Sequence, residues 1–283
     1  ARPPGEGGGE VGGDGTMTTR SVLTLNVANP PRDRAERLLH WLWPREENLW
    51  VLTEVGRGPG SGLVARTCRA AGYSVVETDR SELGVIVVSR IEPLRLDPLD
   101  PLDVLPGRLA SVVVGERDPL RLLGVYGAAS DPVRYSNRAQ RARKRDWLAA
   151  FDAAVTQWTQ RPGDGVLVGD LNIVDPDHPD PLRYVLAEEL ATYRTLVGGY
   201  GLRDAYRERN AEDRASWVDH TGVGCRYDHA FVTADVTVLE SALDDEPRAR
   251  VPLELGHRVV GRRVVDRDDL DANRAGGEER LDE

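Results

Sequence analysis

The apolar segments of this chain are short, and most of them stop at a polar side chain. SVLTLNVAN (21–29), NLWVLTEV (48–55), LGVIVVSR (83–90), LASVVVGE (109–116), LRLLGVYG (120–127) and GVLVGDLN (165–172) are strand-length runs of β-branched and aliphatic residues with turn-forming residues between them. Runs as continuously apolar as GVLV fit strands covered on both faces. YSVVET (73–78), CRYDHAFVT (225–233), VTVLESAL (236–243) and HRVVGRRVV (257–265) are further strand candidates. Helical spacing of apolar residues marks RDRAERLLHWLW (32–43), GLVARTCRAAG (62–72) and the long segment 136–160, which RPGDG stops. Strands outnumber helices, and the helices fall between groups of strands. That order predicts an α/β (α+β) chain of two packed sheets with helices outside them, in preference to a doubly wound parallel sheet.

The polar strand ends carry the chemistry. Asn26, Glu54 and Asp170 with Asn172 close three apolar runs; Asp228 and His229 sit in a fourth, and His257 opens the last. A carboxylate at the mouth of a buried strand is costly unless a cation, a hydrogen-bond donor or water compensates it. One such end is ordinary turn chemistry, with an Asp or Asn bonding its own backbone. Five together point to a shared site. Carboxylates and carboxamides without thiolates suit a hard cation such as Mg²⁺ or Mn²⁺.

Composition narrows the field. No run approaches the roughly 18 apolar residues that span a bilayer, and the opening lacks the basic-then-apolar pattern of a secretory signal. Cys68 and Cys225 are the only cysteines, neither in a CxxC, so neither a disulfide framework nor a thiolate zinc site is expected and a reducing cytoplasmic setting is. Residues 1–19, rich in Gly, and 266–283, with eight acids against three arginines, read as disordered tails around one domain at 20–265. The tails carry most of the net charge of −10, so the acidity says little about what the folded body binds. Lys144 is the only lysine among 37 basic residues, a bias that reads mainly as a property of the source genome.

The ordered blocks LNVAN, VLTEV, LGVIVVSR, GVYGAAS, VGDLNIV, RYDHAFVT and LGHRVV resemble the endonuclease/exonuclease/phosphatase superfamily, most closely its exonuclease III and AP endonuclease branch, over residues 20–265. The resemblance implies a four-layer α/β/β/α sandwich of two mixed β-sheets flanked by helices. It implies a divalent-metal-dependent phosphodiester hydrolase acting on DNA, with Mg²⁺ or Mn²⁺ as cofactor, nucleic acid as partner, no membrane, and a monomeric state. Matched residue by residue, Glu54 is the metal ligand with Asn26 beside it, Tyr126 contacts the substrate phosphate, Asp170 addresses the attacking water and Asn172 orients it. Asp228 supports the catalytic His257. Where the family has Ser-Asp-His, this chain has Leu255-Gly256-His257, and Glu254, on the same strand face as Gly256, is the substitute carboxylate for the metal. Trp217 and Arg138 are the expected further substrate contacts, against the plainer readings of a packed ring and a solvated helix face; His220 and His229 read as structural. Two other functions stay open: the same chemistry on a small or lipid phosphoester, and a binding module without catalysis, motivated by Gly256.

Overall fold

The structure is a computed structural model that describes residues 18–130, 137–179, 182–218, 222–243 and, for its backbone, 258–261. The chain opens with β1 (Val22–Asn26), α1 (Arg32–Leu42), β2 (Leu49–Val55), α2 (Pro59–Ala70), β3 (Ser74–Glu77) and β4 (Gly84–Ser89). With β13 (Arg258–Gly261) these strands make a five-stranded sheet ordered β13-β1-β2-β4-β3. A second sheet uses β5 (Leu94–Leu96), β6 (Leu109–Val114), β7 (Leu120–Tyr126), β8 (Gly165–Asp170), β9 (Arg203–Asp204) and β12 (Asp228–Val232), in the order β5-β6-β7-β8-β12-β9. Helices α3 (Arg138–Thr159), α4 (Ala187–Arg194) and α5 (Ala205–Arg209), and a small hairpin of β10 (Trp217–Val218) and β11 (Gly224–Cys225), complete the chain. Both large sheets are mixed: β1 runs parallel to β2 and β7 parallel to β8, and other neighbours are antiparallel.

The alternation of side chains along a strand explains the unbroken apolar runs. Leu49 and Val51 of β2 enter the layer between the sheets, with Val85, Val112, Leu122, Val166 and Val168. Trp50 and Leu52 face the other way, onto Leu38, Leu42, Val64 and Cys68 of α1 and α2. In the second sheet Leu123, Leu167 and Phe231 turn outward to Trp147, Phe151 and Trp158 of α3. Each central strand is buried on both faces because each sheet has a helix layer behind it, giving the α/β/β/α sandwich.

Three local expectations shift. Helix α2 begins at Pro59, three residues before the expected start, because proline is favourable in a first helical turn. The segment 236–243 does not form the expected strand. Val236 and Val238 alternate and are buried, the alternation breaks at Leu239 and Glu240, and the carbonyls of Val236, Val238 and Ser241 accept from Arg203, Arg209 and Asn210 side chains instead of a ladder. The last strand is described only at Arg258–Gly261, paired antiparallel to β1. Of the two expected tails, only residues 18 and 19 lie within the described residues.

Leu167, at the centre of β8 and fully buried against α3, tests the second core. Leu167→Ala is expected to lower stability by about 2–5 kcal/mol in urea unfolding, with the slope of the transition unchanged. A loss well under 1 kcal/mol would mean that this layer is not close-packed.

Candidate active site

Both sheets send strand ends to the same edge of the sandwich. In the second sheet, Tyr126 pairs with Asp170 across β7 and β8, and Asp170 pairs with Asp228 across β8 and β12. These three residues form one row. In the first sheet, Asn26 ends β1 opposite Thr53, and Glu54 follows at an irregularity in the β2–β4 pairing. The rows meet where the Asn26 Nδ2 donates to Asp170 Oδ2 at 2.8 Å.

Local backbone geometry explains why these residues point into the site. Glu54 has φ of 57°, in the left-handed region, which takes its side chain out of the strand alternation. Its carbonyl accepts from Asn29 N at 2.8 Å, tying the loop after β2 to the loop after β1. In that loop Asn26 Oδ1 accepts from Ala28 N at 2.9 Å. Asn172 is also left-handed, with φ of 51°. Gly169 has φ of 154°, and a Cβ there would lie 1.9 Å from the Val125 carbonyl oxygen. The glycine of GDLN is therefore required by a close approach of β7. Such uncommon backbone angles persist only where surrounding contacts over-determine them.

Asp170 is held from two sides. Besides the Asn26 amide, its Oδ1 accepts from Asn172 Nδ2 at 2.8 Å and Asn172 N at 3.2 Å. Burial pushes the Asp170 carboxyl up to about 7; the Asn26 hydrogen bond opposes this and the charge of Glu54 adds to it. Burial likewise raises Glu54, against the Asn26 amide and the charges of Arg108 and Arg34. The Tyr126 hydroxyl is driven far above its ordinary range by burial and then by Glu54 and Asp170. Two carboxylates thus stand close enough to resist shared ionisation.

Arg108 belongs to this group and sequence reasoning missed it. It closes a short 3₁₀ turn, Pro106–Arg108, ahead of β6, and is 7% exposed. Its guanidinium lies 4.0 Å from the centroid of the Tyr126 ring and donates to the Gly127 carbonyl at 2.7 Å. Its charge acts on both Glu54 and Asp170. Nothing in LPGRLAS separates this arginine from the others; only the fold does.

The other expected site residues divide. Asp228 is fully buried, beside Asp170 in the sheet. Trp217 is 8% exposed and packs on Tyr227, ring centroids 5.7 Å apart, with Val174 and Cys225. The ring fills a small core, and stacking of a base on it stays a proposal. Arg138 is exposed at the start of α3 and is not among the residues gathered at the strand ends. The basic helix start is largely compensated: Arg143 pairs with Glu82, Lys144 with Glu189 and Arg145 with Glu188. Glu254, Gly256, His257 and His220 lie outside the described residues. Strand β13 begins one residue after His257, with Arg258 paired to Leu25, next to Asn26.

His229 is fully buried. Its Nδ1 faces Arg226 Nη1 at 2.9 Å, so Nδ1 accepts and Nε2–H donates to the Ile173 carbonyl at 3.0 Å. Arg226 is itself buried, with Asp213, Asp204 and Asp175 at 2.7, 2.9 and 3.1 Å. Burial alone would raise Asp204, but the adjacent His229 ring, Arg226 and the Tyr193 hydroxyl outweigh it and hold the carboxyl well below its usual range. Burial also opposes the lowering of Asp175, which the Asp177 amide, Arg207 and Arg226 produce.

The fold is shared with several solved proteins. A 3′ phosphatase from Neisseria, bound to a product DNA hairpin, matches with a TM-score of 0.66 and 21% identity, over 85% of this chain and 98% of that one. An AP endonuclease from Archaeoglobus fulgidus matches with a TM-score of 0.64 and 18% identity, over 86% and 99%. TDP2 from Caenorhabditis elegans matches with a TM-score of 0.60 and 13% identity, over 87% and 98%. No family model matches the sequence, and no curated protein does.

The lowered carboxylates around Arg226 set an acid dependence. A depressed Asp contributes stability above its unfolded-state value of about 3.9, and that contribution is lost as pH falls through the folded value. Stability should therefore decline as pH drops from about 5 toward 3. Arg226→Met leaves buried carboxylates uncompensated and should cost about 3–5 kcal/mol at pH 7, and less near pH 4, where they take up protons. Urea titrations at both pH values measure this; an equal cost at both would refute the charge argument. With the row Tyr126–Asp170–Asp228, the Asn26 bridge and the flanking helix layers in place, the chain has the four-layer fold that it shares with the solved 3′ phosphatase and AP endonuclease.

Proposed function

We propose that this protein is a divalent-metal-dependent phosphodiester hydrolase acting on DNA, at abasic sites or 3′ ends, as a monomeric cytoplasmic repair nuclease. The observation that carries the reading is the placement of Asp170 between the amides of Asn26 and Asn172, facing Glu54 and Tyr126. The structural neighbours support the substrate class: a 3′ phosphatase bound to product DNA, a 3′–5′ exonuclease and an AP endonuclease.

The donor set fits a hard dication. Glu54 and Asp170 are carboxylates whose charges oppose each other in a buried setting, and the adjacent side chains are carboxamides. Opposed anions of this kind are stabilised by a shared cation, and oxygen donors suit Mg²⁺ or Mn²⁺. Among the described residues no group of three or more His, Cys, Asp or Glu side chains forms a closed cage; Mg²⁺ commonly uses only one or two carboxylates with water and substrate phosphate. Glu54 would hold the ion with Asn26 beside it, and Glu254 is the proposed further carboxylate. When bound, the ion neutralises charge on the phosphoryl oxygens and the leaving oxygen.

The chain's own groups would then divide the work. Asp170 accepts a hydrogen bond, and finally a proton, from the attacking water. Asn172 and Asn26 fix the carboxylate so that its remaining lone pairs face the water. Tyr126 and Arg108 donate to the phosphate, and their burial strengthens that interaction relative to an exposed cation. His257, with Asp228 as its support, is the proposed phosphate donor or proton carrier.

A second reading, hydrolysis of a small phosphoester, is favoured by the ion pairs that compensate Arg143, Lys144 and Arg145, since a long polyanion gains most from unpaired basic residues. Purified protein with Mg²⁺ or Mn²⁺ should cleave a duplex containing one abasic site faster than an intact duplex, and EDTA should abolish cleavage. Asp170→Asn should lower kcat by at least about 10³-fold, in the range of losses for a group acting in the transition state. Glu54→Gln should raise the metal concentration needed for half-maximal rate. Turnover of phosphomonoesters or inositol phosphates with none on any DNA would transfer the assignment to the second reading.

A further inference from the structure

Lys144 is the one lysine in a chain with 36 arginines, and it sits on no surface. It projects from α3 into the interior, 1% exposed, and its Nζ meets three acceptors: Glu189 Oε2 at 3.0 Å, Ser130 Oγ at 3.0 Å and the Asn172 carbonyl oxygen at 2.6 Å. A compact ammonium with three N–H donors can bond the Ser130 and Asn172 oxygens while the Glu189 carboxylate balances its charge as an ion pair. A planar guanidinium presents five donors in a fixed fork and would leave several unmet in the same space. The exception to the arginine bias therefore falls where only lysine geometry fits.

The partners connect three regions. Glu189, fully buried in the first turn of α4, also accepts from Ser130 Oγ and Leu186 N, both at 2.9 Å. Ser130 follows β7 and the Tyr126 strand end. Asn172 is the residue whose left-handed backbone turns its amide back onto Asp170. The ammonium is thus the joint between α3, α4 and the loops after β7 and β8.

We propose that Lys144 is a positioning residue for the Asp170–Asn172 pair: by holding the Asn172 carbonyl it fixes the left-handed turn that presents the Asn172 amide to Asp170. The inference rests on Asp170 being the group that addresses the attacking water. Lys144 touches neither substrate nor metal in this scheme. It acts through one backbone carbonyl.

The test uses the full-length chain. Lys144→Met should reduce kcat on the abasic-site duplex by about 10–100-fold, the usual range for outer-shell orienting groups, with KM within about threefold. Lys144→Arg should not restore the rate. Because Lys144→Met strands the Glu189 carboxylate, the double variant Lys144→Met/Glu189→Gln removes both charges and should show the same kcat loss in protein that still unfolds cooperatively. A folded double variant with wild-type kcat overturns the proposal.

A second measurement does not need turnover. Uniform ¹⁵N-lysine labelling gives one side-chain ammonium signal, because there is one lysine. That signal should shift in Asp170→Asn protein without metal, and again when Mg²⁺ is added to wild type. An ammonium that only filled the interior would respond to neither, and an unmoved signal in both experiments overturns the proposal. If wild type proves inert on every phosphoester, the proposed function fails, and the resonance alone decides whether Lys144 is linked to Asp170.

Discussion

The rest of the site depends on keeping a buried carboxylate, that of Asp170, between two sheets. Taking an ion out of water costs several kcal/mol even after relaxation, roughly what several good hydrogen bonds to charge return. Asp170 receives the Asn26 amide from one sheet and the Asn172 amide and backbone N–H from its own loop. Asn26 lies 144 residues away in the chain, so this compensation exists only once both sheets have formed and stacked. Glu54 works against it, adding a second negative charge nearby, and Arg108 works with it. The balance leaves a carboxylate fixed in direction, near a second one, with a cation opposite: an arrangement poor for stability and well suited to binding a dication and a phosphate.

What holds Asp170 also has to hold the chain beyond it, where the β8 ladder ends. From 170 to 175 the backbone is anchored by contacts from separate elements. The Asp170 carbonyl accepts from Gly127 N, and Leu171 N donates to the Tyr227 carbonyl. Lys144 holds the Asn172 carbonyl, His229 the Ile173 carbonyl, and Arg226 and Arg207 the Asp175 carboxylate. Side chains here replace a neighbouring strand, as they do at 236–243, where Arg203, Arg209 and Asn210 serve. A continued ladder would hold residues 170 and 172 extended, about 6–7 Å apart along one face, whereas the left-handed Asn172 turns its amide back onto Asp170. Side-chain anchors let both face one point.

The layered architecture was legible because burial on both faces leaves a clear mark: LWVL and GVLV are apolar at every position, and helices punctuate the strand groups. Asn26, Glu54 and Asp170 were legible for the opposite reason, as polar residues where apolar ones would be cheaper. Arg108 was hidden because an arginine at a strand start reads as surface, and its orientation follows from the approach of Tyr126. Lys144 was conspicuous in composition, but the reason for it required Glu189, 45 positions later, and the carbonyl of a left-handed Asn172. Trp217 could not be placed because a tryptophan beside a polar motif fits a base platform or a small core equally well; in the structure it packs with Tyr227 and Cys225. The 236–243 segment opens with strand alternation, yet its buried side chains speak only to one face and not to who satisfies its backbone.

The distribution of positive charge bears on how such a site would discriminate. Arg20 is paired to Glu92, Arg143 to Glu82, Arg145 to Glu188, and Arg226 to three aspartates. Cations compensated within the fold contribute little to long-range attraction of a polyanion. Arg108 differs: its hydrogen bonds go to backbone carbonyls and its guanidinium lies over an aromatic ring, and its charge is felt at Glu54 and Asp170. On the proposed reading, selectivity then rests less on the field around the molecule than on the fit of one phosphoryl group between Arg108, Tyr126 and the Asp170 pair. Short-range donors held by packing act most strongly on the geometry in which charge is redistributed, which is where differential binding accelerates a reaction.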